Sequence, residues 1–340
     1  MGPQQRPSGT ATIKPPPPVN PEKSKIENNL EITALEELGE GVFTNTRELY
    51  KPVGAKGIYG GCVIAQTLAV AQKTIPAGMK VHSMHCYFIL PGSATVPMVY
   101  HVENVRSGRS YATRSVHAKQ KGKAIFTATC SFTRPVSEVT DEPKRTVQHS
   151  IKFPKDVPSP EECPTEAQTI DKWLGEGRID ANVAEFLKKR EANDPFEFRK
   201  AGIVGDTPET DPTRKLQRQW VRARGDISDE ESHLPALAYF SDTWFIGTVN
   251  RVNPQARRGQ VGMMLSLDHT IYFHNAPKAR VDRWLLVESD SPWAADERAL
   301  VTQRIWDPEV GLLATCYQEG LVRLKDGREG ESENHVISKL

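Results

Sequence analysis

The chain has 340 residues, enough for about two domains, and its 38% hydrophobic and 26% charged residues allow a buried core with a solvated surface. A formal net charge of +1 and a pI near 7.7 argue against bulk electrostatic capture of nucleic acid. No apolar run approaches the roughly 18 residues that a bilayer span needs. The first residues lack the charged-then-apolar pattern of a secretory signal, and Arg6 occupies the position where a myristoylation motif requires Ser or Thr.

Residues 1–30 hold "KPPPPVNPEK" and few large apolar side chains, which predicts a disordered, Pro-rich tail. A charged helical or turn segment from Leu30 to Val42 leads into the first folded unit, residues 31–136. "GIYGGCVIAQTLAVAQKTIP" places Ile64, Leu68, Ala71 and Ile75 on one helical face. Gly61, Ala65 and Ala69 form a second row of small residues, which suits close approach to another surface. Four strand-like segments follow: "VHSMHCYFIL", "VPMVYHVENV", "RSYATRSVHA" and "AIFTATCSFT", joined by short turns that imply antiparallel neighbours. One helix with four antiparallel strands predicts an α+β unit.

Residues 137–195 are rich in prolines and charges and contain one short helical stretch, "AQTIDKWLGEG", so they read as a long connection. Residues 196–326 then repeat the plan. "QRQWVRAR" is a strand, "LPALAYFSDTWFIGTV" an apolar helix, and "GMMLSLDHTIYFH", "RWLLVESDS", "RALVTQRIWD" and "LLATCYQEGLVRL" are strands. "HSMHCYF" answers "SLDHTIYF", and "FTATCSFTR" answers "LLATCYQEGLVR" with a one-residue offset. Residues 327–340 form a polar tail ending in Ser338-Lys339-Leu340, a peroxisomal address when it ends a chain.

Three polar residues stand out in the second unit. Asp242 lies among Ala238, Tyr239, Phe245 and Ile246 at helical spacing, so a continuous helix would bury its carboxylate; alternatively Ser241-Asp242 caps a break. Burial without a partner raises a carboxyl pKa. Ser266 alternates with Leu265 and Leu267 on a strand and so shares a face with Met264 and Asp268. No G-x-S-x-G elbow surrounds it, which argues against an activated serine nucleophile. Gln318 interrupts a strand and points the same way as Ala314 and Cys316, while its neighbour Glu319 points the other way. A carboxylate, a hydroxyl and an amide together suit the activation and orientation of a water.

The segments "GIYGGCVIAQTL", "VHSMHCYFILPG", "YFSDTWF", "SLDHTIYFH" and "YQEGLVR" jointly resemble the acyl-CoA thioesterase II family, over residues 35 to 136 and 216 to 325. The resemblance implies a double hotdog, with each helix wrapped by a curved antiparallel sheet. It also implies that Asp242, Ser266 and Gln318 activate the hydrolytic water. Many family members carry Thr where Ser266 stands, so this chain keeps the hydroxyl and loses the methyl. "YGGCV" in the first unit offers no carboxylate to match "FSDTW", and one active site per chain is expected.

The expected function is hydrolysis of fatty acyl-CoA to free fatty acid and CoA. A hotdog enoyl-CoA hydratase using Asp268 and His269, or a non-catalytic acyl-CoA-binding scaffold, are the competing readings. No cofactor or metal is expected: the five cysteines are scattered without a C-x-x-C pair, and His82 and His85 face opposite sides of a strand. Met263, Met264, Trp244 and Phe245 are candidates for the acyl slot, and Arg106, Arg109, Arg114, Lys121 and Lys123 for the CoA phosphates. The import receptor for the terminal tripeptide is an expected partner, with residence in the peroxisomal matrix and assembly as a homo-oligomer.

Overall fold

The two hydrophobic patterns close on each other through one sheet. The computed structural model describes residues 11–134, 147–256 and 260–325. In chain order the first unit contains α1 (Lys25–Leu30), β1 (Ile32–Ala34), β2 (Val42–Asn45), α2 (Gly60–Gln72), β3 (Lys80–Phe88), β4 (Val99–Ser107), β5 (Tyr111–Gln120) and β6 (Lys123–Thr133). Two helices follow, α3 (Glu166–Gly175) and α4 (Ala181–Asn193). The second unit has β7 (Phe196–Val204), β8 (Leu216–Ala223), α5 (His233–Ser241), α6 (Thr248–Val252), β9 (Val261–Ser266), β10 (Asp268–Phe273), β11 (Leu285–Ala295), β12 (Arg298–Asp307) and β13 (Gly311–Leu324).

The strands form a single antiparallel sheet in the order β1-β2-β4-β5-β6-β3-β10-β13-β12-β11-β8-β7, with β9 also paired to β13. The two halves mirror each other about the β3–β10 seam, where Thr270 pairs with His85 and Asp268 with Tyr87. Alternation in "YATRSVHAKQ" becomes alternating burial along β5, the signature of a strand with one face on a core. That core holds α2 and α5, both buried along almost their whole length. They run antiparallel, since Gly61 meets the Tyr239 carbonyl at one end and Gln72 Nε2 donates to the Glu231 carbonyl at the other. The small row on α2 therefore does what its spacing predicts.

Four expectations change. The first unit has two strands ahead of its helix where none is expected, and the second adds β7 to the expected β8, so β7 is that unit's outer edge. Within the connection, α3 and α4 pack on each other through a small core of Ile170, Ile179, Val183, Ala184 and Leu187. Over residues 11–30 the tail is docked rather than disordered. Asn45 Nδ2 donates to the Ala11 carbonyl, Arg47 donates to the carbonyls of Pro17 and Pro18, and a Ser24–Glu27 capping box starts α1. Polar side chains of the body thus satisfy a backbone that has little apolar surface of its own. The terminal tripeptide lies outside the described residues.

Arg114 is the fourth change. Its side chain is buried and its guanidinium donates to the carbonyls of Thr74, Arg106 and Thr113 and to side-chain oxygens of Thr74, Asn104 and Ser107. Every donor is committed inside the fold, so Arg114 is no phosphate ligand.

Candidate active site

The apolar helix of the second unit does not run through. It ends at Ser241, and Asp242 is its C-cap, while the chain turns at Trp244 with φ near +61° and resumes helix only at Thr248. A tryptophan in the left-handed region is an unusual cost, and it is matched here by clamping. Arg190 and Arg251 lie over the Trp244 ring, at 5.6 and 5.4 Å from its centroid. The Tyr59 hydroxyl, just before α2, braces the same break. It donates to the Tyr239 carbonyl at 2.8 Å and lies 2.7 Å from Thr243 Oγ1, from which it accepts, having only one proton to give.

The break turns the Asp242 carboxylate toward the start of α2 and toward β13. Its Oδ1 accepts from Gln318 Nε2 at 2.8 Å. Its Oδ2 lies so close to Gly60 that a Cβ there would sit 2.8 Å away. Burial pushes the carboxyl pKa up, while the Gln318 amide and the Gly61 backbone N–H pull it back. The first N–H groups of a helix have no intrahelical partner, so the start of α2 presents donors beside this carboxylate.

Gln318 is fully buried, as its in-facing position on β13 predicts, and Glu319 points away to an ion pair with Arg298 at 2.8 Å. One Gln318 amide proton goes to Asp242, and the same nitrogen lies 3.0 Å from His269 Nδ1. The other ring nitrogen of His269, Nε2, is 3.0 Å from Ser241 Oγ, which also lies 2.9 Å from the Ala238 carbonyl. His269 is fully buried with the Phe245 ring edge-on at 5.5 Å, and burial lowers its pKa to about 3.

Ser266 takes its face of the sheet from a departure from regular alternation. β9 and β10 are one strand along β13 interrupted by a bulge: Ser266 pairs with Gly320 and Thr270 with Tyr317, one residue out of step. The extra residue is absorbed at Leu267, whose N–H donates to the Glu319 carbonyl, and at Asp268, whose Oδ1 accepts from the Glu319 N–H. Ser266 therefore shares its face with His269 and Gln318, not with Asp268. Gly320, its ladder partner, has no Cβ, and the Ile246 side chain fills that space within 2.6 Å of where one would be. The Ser266 hydroxyl has no hydrogen-bonding protein partner among the described residues.

The structure thus joins Gln318 directly to Asp242 and sets Ser266 on the same sheet face. Sequence reasoning missed the roles of Tyr59, Ser241 and His269 in holding this arrangement. Of the acyl-slot candidates, Phe245 is spent packing on His269. Trp244 faces a cavity of about 260 Å³ whose lining combines Arg178, Arg190, Lys200 and Arg251 with Glu166 and the apolar Trp173, Leu187 and Phe198.

Comparison with known proteins places the chain in a family. Residues 48–133 match a model of the acyl-CoA thioesterase N-terminal domain, and residues 160–322 match its C-terminal domain. The chain belongs to the acyl-CoA thioesterase II family. It is 36% identical over 297 residues to mouse acyl-coenzyme A thioesterase 8, covering 86% of this chain and 87% of that protein. It is 27% identical to the peroxisomal acyl-coenzyme A thioester hydrolase 1 of Saccharomyces cerevisiae, covering 80% and 87%. Among solved structures, the acyl-CoA thioesterase II TesB2 of Mycobacterium marinum superposes with a TM-score of 0.66 at 28% identity, covering 89% of this chain and 99% of that one. Family membership and the mirrored sheet together identify the fold as a double hotdog.

Proposed function

We propose that this acyl-CoA hydrolase uses Asp242 as the general base that activates water against the thioester carbonyl. The observation that carries this reading is the 2.8 Å bond from Gln318 Nε2 to Asp242 Oδ1, made at a helix break beside the start of α2. Gln318 fixes one carboxylate oxygen and leaves Oδ2 to take a proton from water. The water oxygen adds to the thioester carbon as Asp242 receives its proton. The C–S bond then breaks as the carbonyl re-forms, and Asp242 passes its proton to the departing thiolate, giving free fatty acid and CoA. The Gly60 N–H, the first of α2, is assigned to the oxyanion that develops on the carbonyl oxygen, since the Gly61 N–H already serves Asp242 and the Cys62 N–H donates to the Tyr59 carbonyl. The Ser266 hydroxyl, on the same face, is assigned to orienting the water.

The hydratase alternative loses support from the surroundings of His269. Both its nitrogens are engaged by Gln318 and Ser241, and the ring is fully buried, which leaves no lone pair for a substrate. A scaffold would have no need of a buried carboxylate held by an amide. The reaction drawn here needs no cofactor, and CoA enters as part of the substrate.

Asp242→Asn should lower turnover by at least ~100-fold in a thiol-release assay across acyl-CoAs of different chain length. A folded Asp242→Asn variant with near-normal turnover would reject the base assignment. Residence in the peroxisomal matrix, through recognition of Ser338-Lys339-Leu340 by the import receptor, is part of the same reading. The named yeast relative and the terminal tripeptide both support it. We further expect a homo-oligomer, which light scattering on the purified protein checks.

A further inference from the structure

We propose that His269 is a positioning residue that sets which side of the Gln318 amide meets Asp242. This rests on the assignment of Asp242 as the base, and it extends that assignment to a hydrogen-bond chain behind it.

The direction of the chain is fixed at its far end. The Ala238 carbonyl can only accept, so Ser241 Oγ, 2.9 Å away, gives it its single proton. Ser241 Oγ must then accept across the 3.0 Å to His269, which puts the imidazole proton on Nε2. His269 Nδ1 is left as a bare lone pair, and the group 3.0 Å from it must be a donor. Gln318 therefore presents its NH2, and that nitrogen supplies its second proton to Asp242 Oδ1 at 2.8 Å. An acceptor stands at each end of the chain, and every proton between them has one destination. Reversing the amide would set Gln318 Oε1 against the carboxylate, a repulsion that would raise the Asp242 pKa and loosen its hold.

The surroundings keep this arrangement in one state. His269 packs edge-on to Phe245, and its carbonyl accepts from Cys86 Sγ at 3.0 Å. The titratable groups around it are Asp242, Cys86 and the neighbouring Asp268. Asp268 turns its Oδ1 to the Glu319 N–H rather than to the ring. Burial disfavours an imidazolium, which would place a donor on Nδ1 facing the amide donors.

Two substitutions separate positioning from packing. His269→Leu removes the acceptor. It should lower kcat by about 10- to 30-fold, the rate equivalent of one lost buried hydrogen bond. KM should stay within about twofold, and the acid limb of the kcat/KM profile should move to higher pH by at least about half a unit. His269→Asn keeps an acceptor near the Nδ1 position and should stay within about threefold of the parent kcat. In a Gln318→Ala background, His269→Leu should change kcat by less than about twofold, because there is no amide left to position. Nitrogen-15 NMR of the full chain with labelled histidine should report the Nε2-protonated tautomer for His269 at neutral pH.

An Nδ1-protonated ring would overturn the inference, as would additive losses in the double variant or an unmoved acid limb in folded His269→Leu. If His269→Leu does not fold, Ser241→Ala substitutes for it: an acid limb and kcat identical to the parent would count against the chain. Asp242→Asn measured alongside keeps the two ideas apart. An active Asp242→Asn defeats the base assignment, while the NMR tautomer still decides the direction of the chain.

Discussion

The approach of α2 to α5 can be tested atom by atom with two adjacent glycines. A Cβ on Gly61 would lie 2.2 Å from the Tyr239 carbonyl oxygen and 2.6 Å from two atoms of the Tyr59 ring. Gly61→Ala must therefore push the two central helices apart by about 1 Å, and overpacking of this kind costs ~1–3 kcal/mol. The intrinsic helix preference of Ala over Gly, up to ~1 kcal/mol, offsets part of that cost. A Cβ on Gly60 meets something different: Asp242 Oδ2 and Phe88 Cε1, each at 2.8 Å. Phe88 is a side chain that can yield, so Gly60→Ala should cost less than ~1 kcal/mol of stability. Displacing the carboxylate by a few tenths of an ångström to 1 Å should nonetheless lower kcat by ~10- to 100-fold. Urea melts and steady-state thiol release on the two purified variants give both quantities. Equal stability of Gly61→Ala and the parent, or full activity of Gly60→Ala, would refute the argument that these glycines let α2 reach Asp242.

Three further outcomes can be checked, two from burial and one from the terminal tripeptide. His269 has a folded pKa of about 3 against the ordinary 6.5, so the unfolded chain binds a proton that the folded chain refuses. Its contribution is complete above pH 6.5 and is lost as pH falls from there toward 3, on the order of 5 kcal/mol in all; urea midpoints between pH 7 and pH 4 should fall less steeply in His269→Asn. All five cysteines are buried, and burial pushes Cys62 and Cys130 up to about 12, so a thiol reagent should label the native protein slowly and label all five rapidly in denaturant. Deleting residues 338–340 should leave a tagged protein in the cytosol under fluorescence microscopy, and retained import would reject the terminal address.

Periodicity found the central features because they repeat: alternation along β3 to β6, a small row on α2, and two apolar helices. It failed where local geometry departs from the repeat. A continuous helix is the natural reading of "LPALAYFSDTWFIGTV", since Pro235 sits where a helix tolerates it, in the first turn, and no other Pro or Gly precedes Gly247. Its break at Asp242 depends instead on tertiary partners, namely Tyr59 and the two guanidiniums over Trp244. The bulge at Leu267 was hidden for the same reason. Its cause is the Asp268 side chain standing in for a backbone acceptor, and a one-residue slip exchanges every side chain between faces. Asp242 and Gln318 were legible because a polar residue in an apolar run needs a partner. His269 was not, because only the bulge at Leu267 sets it on the same face as Ser266, and regular alternation puts the two on opposite faces.

The mirrored sheet makes the asymmetry of the two units concrete. With Thr270 paired to His85 at the seam, His269 corresponds to Met84, and Tyr317 corresponds to Thr129. Gln318 therefore corresponds to Cys130, which pairs with Met84 in the first unit. The "ATC" match between the halves is thus two residues away from the equivalence that the ladders define. Met84 and Cys130 are both fully buried, so the first unit fills with sulfur-bearing apolar side chains the volume that the second unit gives to an imidazole and an amide. A buried carboxylate in the first unit would meet neither a donor to hold it nor a chain to orient that donor, and its burial cost would go uncompensated. This difference is the structural basis for proposing that hydrolysis occurs in the second unit. The first unit contributes what needs no special side chain: the glycine-bearing start of α2, delivered beside Asp242 by the same pseudo-twofold axis.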